Sequence, residues 1–592
     1  ATREIQGSIV FATVIIMLVF TPLFFLPGIE GRFMGPLGFA YIVALGASLL
    51  VAITVTPALA SVSLPFSRTV KQGSEPRAVE RTKAAFAPVL DATLPRWRAL
   101  TAASLLVLAG AGAALTWAGQ SFLPEFNEGS LTVSVVTRPG TALEESDRLG
   151  AMAEAILLDH PEVTSTARRT GRAQLDPHAQ AVYASEIDVS LDLGDRPKAD
   201  LLAELRRELK AVPGTNVVIG QPLSHRIDHM LSGTRANIAV KLFGPELDRL
   251  RALSKEVQGV MAGVPGVVDL ARQPRAQIPF LTVDFDRDAI ARHGLTTGEV
   301  GRAVRTAFTG TTASRVLEGQ RAFDLVVRLP PAVKADRDAI GEVPITTADG
   351  TQVPLHALAD IRETRGPNAI LREDVARKMI VIANVSKPDL VGVVRAAQEA
   401  VAAQVALPPG YRIEYGGQFQ AAKQATRSLL WMGAAVLAGI FLLLYVAFDS
   451  VRDAVLVMVN LPLALIGGVA GLFVAGGVIS VATLIGFIAL FGIATRNGVM
   501  LVSHIHTLRW QEGEGPLAAV RRATLERLVP ILMTALSAGL GLLPLALSAG
   551  EPGSEIQAPM AMVILFGLLS ATVLNMVVLP ALYLRFGASA RA

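Results

Sequence analysis

Two groups of side chains in this sequence have types and spacings suited to chemistry. The first lies in PLSHRIDHM (222–230), where His225 and His229 are four residues apart and Asp228 adjoins the second. Imidazole and carboxylate ligands suit Zn²⁺, Co²⁺ or Ni²⁺, whereas thioether ligands suit Cu(I). The spacing would align both imidazoles on a helix, although the Pro and Ser neighbours disfavour one. EIDVSLDL (186–193) alternates like a strand and puts Glu186 and Asp188 on one face. The second group is Arg496 and Asn497 inside the apolar run TLIGFIALFGIATRNGVMLVSHI. Burying a guanidinium at membrane depth costs ~2.5–3.5 kcal/mol or more unless a carboxylate meets it, which marks such residues as functional. No Asp or Glu is read inside any apolar span, so a partner would come from elsewhere; the plainer alternative is that Arg496 snorkels to the nearby interface. Glu125 and Glu128, in PEFNEG, either guide an incoming cation or merely turn the chain. His160, His178, His293 and His356 read as surface or turn residues, and His504 and His506 as interfacial ones.

Composition sets the surroundings of these groups. Of 592 residues, 51% are hydrophobic and 18% charged, well under the ~25% of soluble domains. Mean hydropathy is +0.47. These figures exclude a disordered chain and argue against a simple soluble enzyme. The absence of cysteine removes disulfides, thiolate metal sites and cysteine nucleophiles. A net charge of +4 with no basic–aromatic stretch gives no case for nucleic acid. No phosphate-cradling loop, Ser–His–Asp set or His–Glu–x–x–His motif is present, so neither an ATP-driven pump nor an enzyme is indicated.

Eight apolar stretches approach the ~20 residues that cross a bilayer: 8–27, 37–63, 99–119, 428–447, 453–475, 478–503, 529–549 and 557–583. The 66–98 loop carries seven basic residues and the 504–528 loop carries Arg509, Arg521, Arg522 and Arg527. The positive-inside rule makes both cytoplasmic and puts the 120–427 block on the other side, which in a bacterium is the periplasm. That block alternates strands and helices. LTVSVVT (131–137), EIDVSLDL, TNVVIG (215–220), IAVKLFG (238–244), FLTVDFD (280–286), KMIVIANVS (378–386) and YRIEYG (411–416) read as strands. Helices are expected at 143–158, 199–212, 246–263 and 390–405, and a hairpin at ADGTQV (348–353). Units of this size suggest ferredoxin-like sandwiches. The GxxxG from Gly467 to Gly471 permits close helix approach.

The chain also contains a repeat. Residues 22–59 match 544–582, with Pro22, Pro36 and Pro57 pairing with Pro544, Pro559 and Pro580. Internal duplication is the usual reason in transporters. The second copy owns six spans and an exported block while the first shows two spans, so four further spans and another exported domain are expected to precede residue 1.

A two-by-six-span duplication with a large periplasmic insert resembles the resistance–nodulation–division (RND) efflux permeases. FLPEFNEGSL (122–131), PLSHRIDHMLSG (222–233) and GIATRNGVMLVSH (492–504) resemble the heavy-metal branch, in particular its divalent-cation exporters. The resemblance implies a polytopic α-helical membrane protein with a periplasmic α/β insert of ferredoxin-like porter subdomains and a docking subdomain. It assigns 1–65 to the last two spans of the first repeat, 66–98 to a cytoplasmic linker and 99–119 to a span. A porter subdomain follows at 120–236, a second at 237–278 and 365–425 around a docking subdomain at 279–364, then five spans at 426–585 and a tail at 586–592.

The resemblance further implies a homotrimer in the bacterial inner membrane, working with a periplasmic adaptor and an outer-membrane channel. It implies no cofactor: divalent metal ions are cargo, and the proton motive force drives them. Arg496 would face carboxylates of a fourth span, with Asn497, Arg527 and Thr534 in the same proton-relay network. The drug branch has Lys where Arg496 stands, and Arg does not release a proton at physiological pH, so Arg496 would tune those carboxylates. Monovalent-metal relatives hold the ion with three Met residues; the matching positions here are Ser134, Ala184 and His229, which favours a divalent ion. The implied metal site is Glu186, Asp188 and His229, with Asp228 adjacent, and Glu125 and Glu128 lie where ions would arrive. A hydrophobic-drug pump is the rival reading, disfavoured by an aromatic content of 6%. A non-transporting scaffold that binds the adaptor is another.

Overall fold

The computed structural model describes all residues except 1, 27, 67–74, 122–126, 172–180, 195, 224–235, 273–276, 331, 334–335 and 588–592. Seven described helical stretches are long and apolar enough to cross a membrane: Met34–Phe66, Arg77–Leu115, Gln418–Phe448, Val451–Val474, Val481–Gln511, Pro516–Leu547 and Gln557–Phe586. An eighth apolar segment, Ile9–Phe24, is shorter. Val481–His506 lies deep in this layer, beginning at a capping box in which Ser480 and Thr483 satisfy each other's backbone N–H groups. Its Gly492 admits the Thr2–Phe20 helix so closely that an added Cβ would sit 3.2 Å from Ile16 Cα.

Proline explains two breaks. Val451–Met458 and Asn460–Val474 are separate helices because Pro462 clashes with the carbonyl four residues earlier, at Met458. In the first copy of the repeat the helix breaks at Thr54, between Gly28–Ile53 and Val55–Ser63, three residues before Pro57. In the second copy Gln557–Phe586 runs unbroken through Pro580. Pro580 is buried among neighbouring helices whereas Pro57 lies on a lightly covered segment, so packing overrides the same local signal.

Beyond the helices the chain forms a short strand, β1 (Gly119–Gln120), and then an α/β unit. Strands β2 (Ser130–Val136), β3 (Val163–Thr170), β4 (Ala184–Leu191) and β5 (Asn216–Gly220) form an antiparallel sheet in the order β3-β4-β2-β5. Helices Leu143–Leu158 and Lys198–Glu208 connect them in βαββαβ order, the ferredoxin-like arrangement. Alternation buries Leu131, Val133, Val135, Ile187 and Val189 in one core with Leu149, Leu157, Leu201 and Leu205. His160, expected at the surface, is instead buried, its Nε2 2.9 Å from Glu208 Oε2. It sits just after one core-packed helix and meets a carboxylate on the other, so helix packing carries it inside.

A second unit repeats the plan with an insertion. Strands β6 (Ile238–Phe243) and β7 (Val267–Arg272) come first, and β8 (Gln277–Phe285) leads into the inserted segment. There β9 (Thr311–Glu318) and β10 (Arg321–Val327) form a hairpin, β11 (Pro344–Thr346) pairs with β12 (Gln352–Pro354), and β13 (Ala359–Pro367) pairs back onto β8. Strands β14 (Leu371–Glu373), β15 (Ala376–Val385) and β16 (Arg412–Gly417) complete the second sheet, in the order β14-β15-β6-β16 with β7 also on β15. The chain then re-enters the helical layer, and a last short strand, β17 (Val478–Ile479), pairs in parallel with β1. Asp389 is the N-cap of Leu390–Gln404, accepting the Gly392 N–H, and also accepts the Gln120 N–H of β1 at 2.8 Å.

One buried tie joins the two units. Arg206 donates to both oxygens of Asp269 at 3.0 and 3.2 Å, and the Asn384 amide donates to Asp269 at 2.9 Å and to the Ile219 carbonyl at 3.2 Å. Asp269 holds a left-handed backbone, φ 50°, to reach them. Breaking a buried pair leaves an uncompensated charge, at about 3–5 kcal/mol. Asp269→Ala is therefore expected to lower the thermal midpoint of the α/β region, read by calorimetry; an unchanged midpoint would show that the tie contributes nothing.

Candidate metal and proton sites

Strand β4 puts Ile187 and Val189 into the core and turns Glu186 and Asp188 to the opposite face. Register places Glu186 between Arg169 on β3 and Ser134 on β2, and Asp188 between Ala167 and Thr132. The Arg169 guanidinium spans the two carboxylates, with Nη2 3.4 Å from Glu186 Oε1 and 3.2 Å from Asp188 Oδ2. Thr132 donates to Asp188 Oδ1 at 3.4 Å. The sheet thus aims two carboxylates at one cation, and in this structure that cation is a side chain. His229, Asp228 and His225 lie outside the described residues, as does Glu125. Glu128 is described: its two carboxylate oxygens accept the Leu223 N–H at 2.9 and 2.8 Å, so it anchors the turn leading toward the histidine segment.

Arg169 escaped the sequence reading because the β3–β4 register is written nowhere in either strand alone. An exposed ion pair of this kind is worth up to about 1 kcal/mol. Arg169→Ala is accordingly expected to tighten Zn²⁺ binding by about three- to fivefold, measured by titration calorimetry. Weaker binding would mean that Arg169 organises the carboxylates rather than competing with the ion. The cleft between the two α/β units, about 1480 Å³, has a different character. Lys198, Arg206, Arg207, Lys210, Lys255 and Lys387 line it against the single carboxylate of Asp269, a net positive lining that repels cations.

In the helical layer Arg496 is partly buried on Val481–His506, and Asn497 is fully buried beside it. Among the described residues no carboxylate forms an ion pair with Arg496. The His504–Glu526 contact, 2.6 Å, fixes the antiparallel register with Pro516–Leu547. That register brings Thr534 level with Arg496 and leaves Arg527 about two turns away, level with Ser503. The Thr534 hydroxyl donates to the Pro530 carbonyl at 2.9 Å.

One expectation needs correction here. The apolar spans are not free of carboxylates, because Asp453 heads its span and is fully buried. His506, expected to be interfacial, is its partner, with Nε2 3.0 Å from Asp453 Oδ2. Desolvating a carboxylate is costly unless it is paired, which accounts for the contact. The sequence signal was a carboxylate at the first position of an apolar run; its partner, 53 residues on, required the helix register.

Comparison with known proteins follows the same lines. The family model described as the AcrB/AcrD/AcrF family matches residues 1–587. The cation efflux system protein CzcA of Alcaligenes sp. (strain CT14) is 35% identical over 98% of this chain and 56% of its own length. The nickel and cobalt resistance protein CnrA of Cupriavidus metallidurans is 34% identical over 98% of this chain and 55% of its own. A heavy metal efflux pump solved by X-ray crystallography superposes with a TM-score of 0.81 at 30% identity, covering 98% of this chain and 58% of that one. The chain spans just over half the length of the curated relatives it matches. A match along nearly the whole sequence, together with paired ferredoxin-like units set on a layer of apolar helices, shows that the chain belongs to the AcrB/AcrD/AcrF family.

Proposed function

We propose that this chain belongs to an inner-membrane permease that exports divalent heavy-metal cations at the expense of the proton gradient. The reading is supported most directly by Glu186 and Asp188, two carboxylates on one strand face that already grip a cationic group. His229 and Asp228 would complete a borderline-hard donor set suited to Zn²⁺, Co²⁺, Cd²⁺ or Ni²⁺ rather than Cu(I). The names of the relatives point the same way, since they describe cation efflux and nickel and cobalt resistance. In this proposal Arg496, Asn497, Thr534 and Arg527 belong to the proton-relay network, and the permease works as a homotrimer with a periplasmic adaptor and an outer-membrane channel.

The test is growth of a metal-sensitive bacterium carrying the complete permease with its adaptor and channel. Protection against Zn²⁺, Co²⁺, Cd²⁺ or Ni²⁺ is expected, without protection against Ag⁺ or Cu⁺. It should vanish in a Glu186→Ala/His229→Ala variant that still reaches the membrane. Protection confined to Ag⁺ and Cu⁺, or to hydrophobic drugs, would refute the assignment.

A further inference from the structure

Asn497, placed above beside Arg496, is one of three buried asparagines whose amides find no partner among the described residues, and the other two have no role so far. Asn460, Asn497 and Asn575 are each almost wholly inaccessible, and in each neither the amide nitrogen nor the amide oxygen finds a hydrogen-bond partner among the described residues. They stand on three different helices at one level. A Cβ on Gly498 would lie 2.2 Å from Asn460 Nδ2, which sets Asn460 beside the turn carrying Asn497. Ser570 Oγ accepts the Gly467 N–H at 3.1 Å and lies 3.2 and 3.4 Å from the Leu463 and Ala464 carbonyls, which fixes the antiparallel register of Asn460–Val474 with Gln557–Phe586. Following that register one further turn brings Asn575 opposite Asn460. Each unsatisfied buried polar group costs about 1–3 kcal/mol, and internal water is the ordinary remedy where several such groups converge.

The same registers repeat nearer the helix ends. Asp453, His506 and Tyr583 lie seven to nine residues beyond the three asparagines, a rise of about 10–14 Å. Asp453 is fully buried and paired with His506, whose side chain retains about a fifth of its exposure. From the neighbouring elements, Tyr583 lies within electrostatic reach of both Asp453 and Arg509, and the Phe448 ring stands edge-on to His506 at 5.5 Å. Asn460–Val474 contributes no titratable group, and Asp449 and Arg452 on either side of Ser450 and Val451 are at the surface. Above the asparagines, Arg496 is the next residue along its helix.

We propose that Asn460, Asn497 and Asn575 hold a cluster of internal water that links the Arg496 level to the His506–Asp453 pair. The pair is then the cytoplasmic-side proton port. The imidazole takes one proton from the water chain and gives one to bulk water; no electrons move, and the Asp453 carboxylate balances the transient imidazolium. The inference rests on the proton-driven reading above and adds to it a path and an exit.

The test uses the full-length permease in liposomes. Radiolytic hydroxyl-radical labelling should mark Leu461 and Met576, buried residues adjacent in sequence to two of the asparagines, with the Met576 rate within about threefold of exposed Met533. Proton flux, followed with an entrapped pH dye, should fall about tenfold or more in Asn460→Leu/Asn575→Leu, with Zn²⁺ binding unchanged and thermal stability equal or higher because orphan amides are gone. His506→Gln keeps a donor for Asp453 but has no second ring nitrogen through which to hand a proton on, so flux should fall about tenfold or more. Absence of labelling at Leu461 and Met576 overturns the water cluster whatever the flux. Unaltered flux in the variants overturns the path while leaving export standing, whereas no flux in the parent permease overturns both readings.

Discussion

Replacing Arg496 by methionine is expected to abolish proton-coupled metal efflux while leaving the protein as stable as the parent, or more so. Arg496 is partly buried in Val481–His506, and among the described residues it has no ion-pair partner. A guanidinium at such depth is unfavourable by ~2.5–3.5 kcal/mol on insertion scales, and methionine keeps the length and removes the charge. A residue kept for packing would behave in the opposite way, losing stability and sparing activity. Arg496→Lys is the informative companion: it retains a cation whose proton is releasable, so partial efflux with an altered pH profile is expected. Metal-dependent proton flux in liposomes and thermal unfolding in detergent separate the cases. Full efflux by Arg496→Met would remove Arg496 from the coupling machinery.

The second large effect concerns folding. Gly467→Leu is expected to destabilise the helical layer by ~3 kcal/mol or more and to yield aggregated protein in detergent. A Cβ at Gly467 would sit 2.1 Å from the Phe566 carbonyl oxygen and 2.3 Å from Ser570 Oγ, and one at Gly471 would sit 2.5 Å from the Met562 carbonyl oxygen. Those carbonyl oxygens belong to a helix backbone and have no rotamer in which to retreat. The Gly467 N–H also donates to Ser570 at 3.1 Å, so the side chain there anchors both helices. Gly541, with nothing within 4 Å of its added Cβ, is the control, and Gly541→Ala should be neutral or mildly stabilising. If both substitutions behaved alike in size-exclusion and thermal assays, the close helix crossing would not be what holds this layer.

What the sequence reveals depends on whether a segment carries its own periodicity. Strands β2, β4, β6 and β15 bury an apolar face, and the alternation of Leu131, Val133 and Val135 alone announces the first of them. Strand β3 reads VTSTARRT, nearly all polar, because it is an edge strand, and it was not legible. Nor was the β9–β10 hairpin, exposed along both strands and so without a buried face to imprint a pattern. The candidate site divides the same way. Glu186 and Asp188 follow from a two-residue period within one strand, whereas Arg169 enters only through cross-strand register. Arg496 stands out as a charge within an apolar run. Asp453 and His506 look like two ordinary span edges until the antiparallel crossing brings them together.

The two-residue parallel ladder between β1 and β17 makes a mechanical joint. Ser480, immediately after β17, caps the helix of Arg496, and Asp389 grips β1 from the start of Leu390–Gln404. A displacement at Arg496, about 24 Å along its helix from that cap, therefore has a hydrogen-bonded route to the second α/β unit through β17, β1 and the Asp389 carboxylate. The ladder is a coupling pin between the helix of Arg496 and the second α/β unit, with Asp389 holding its far end.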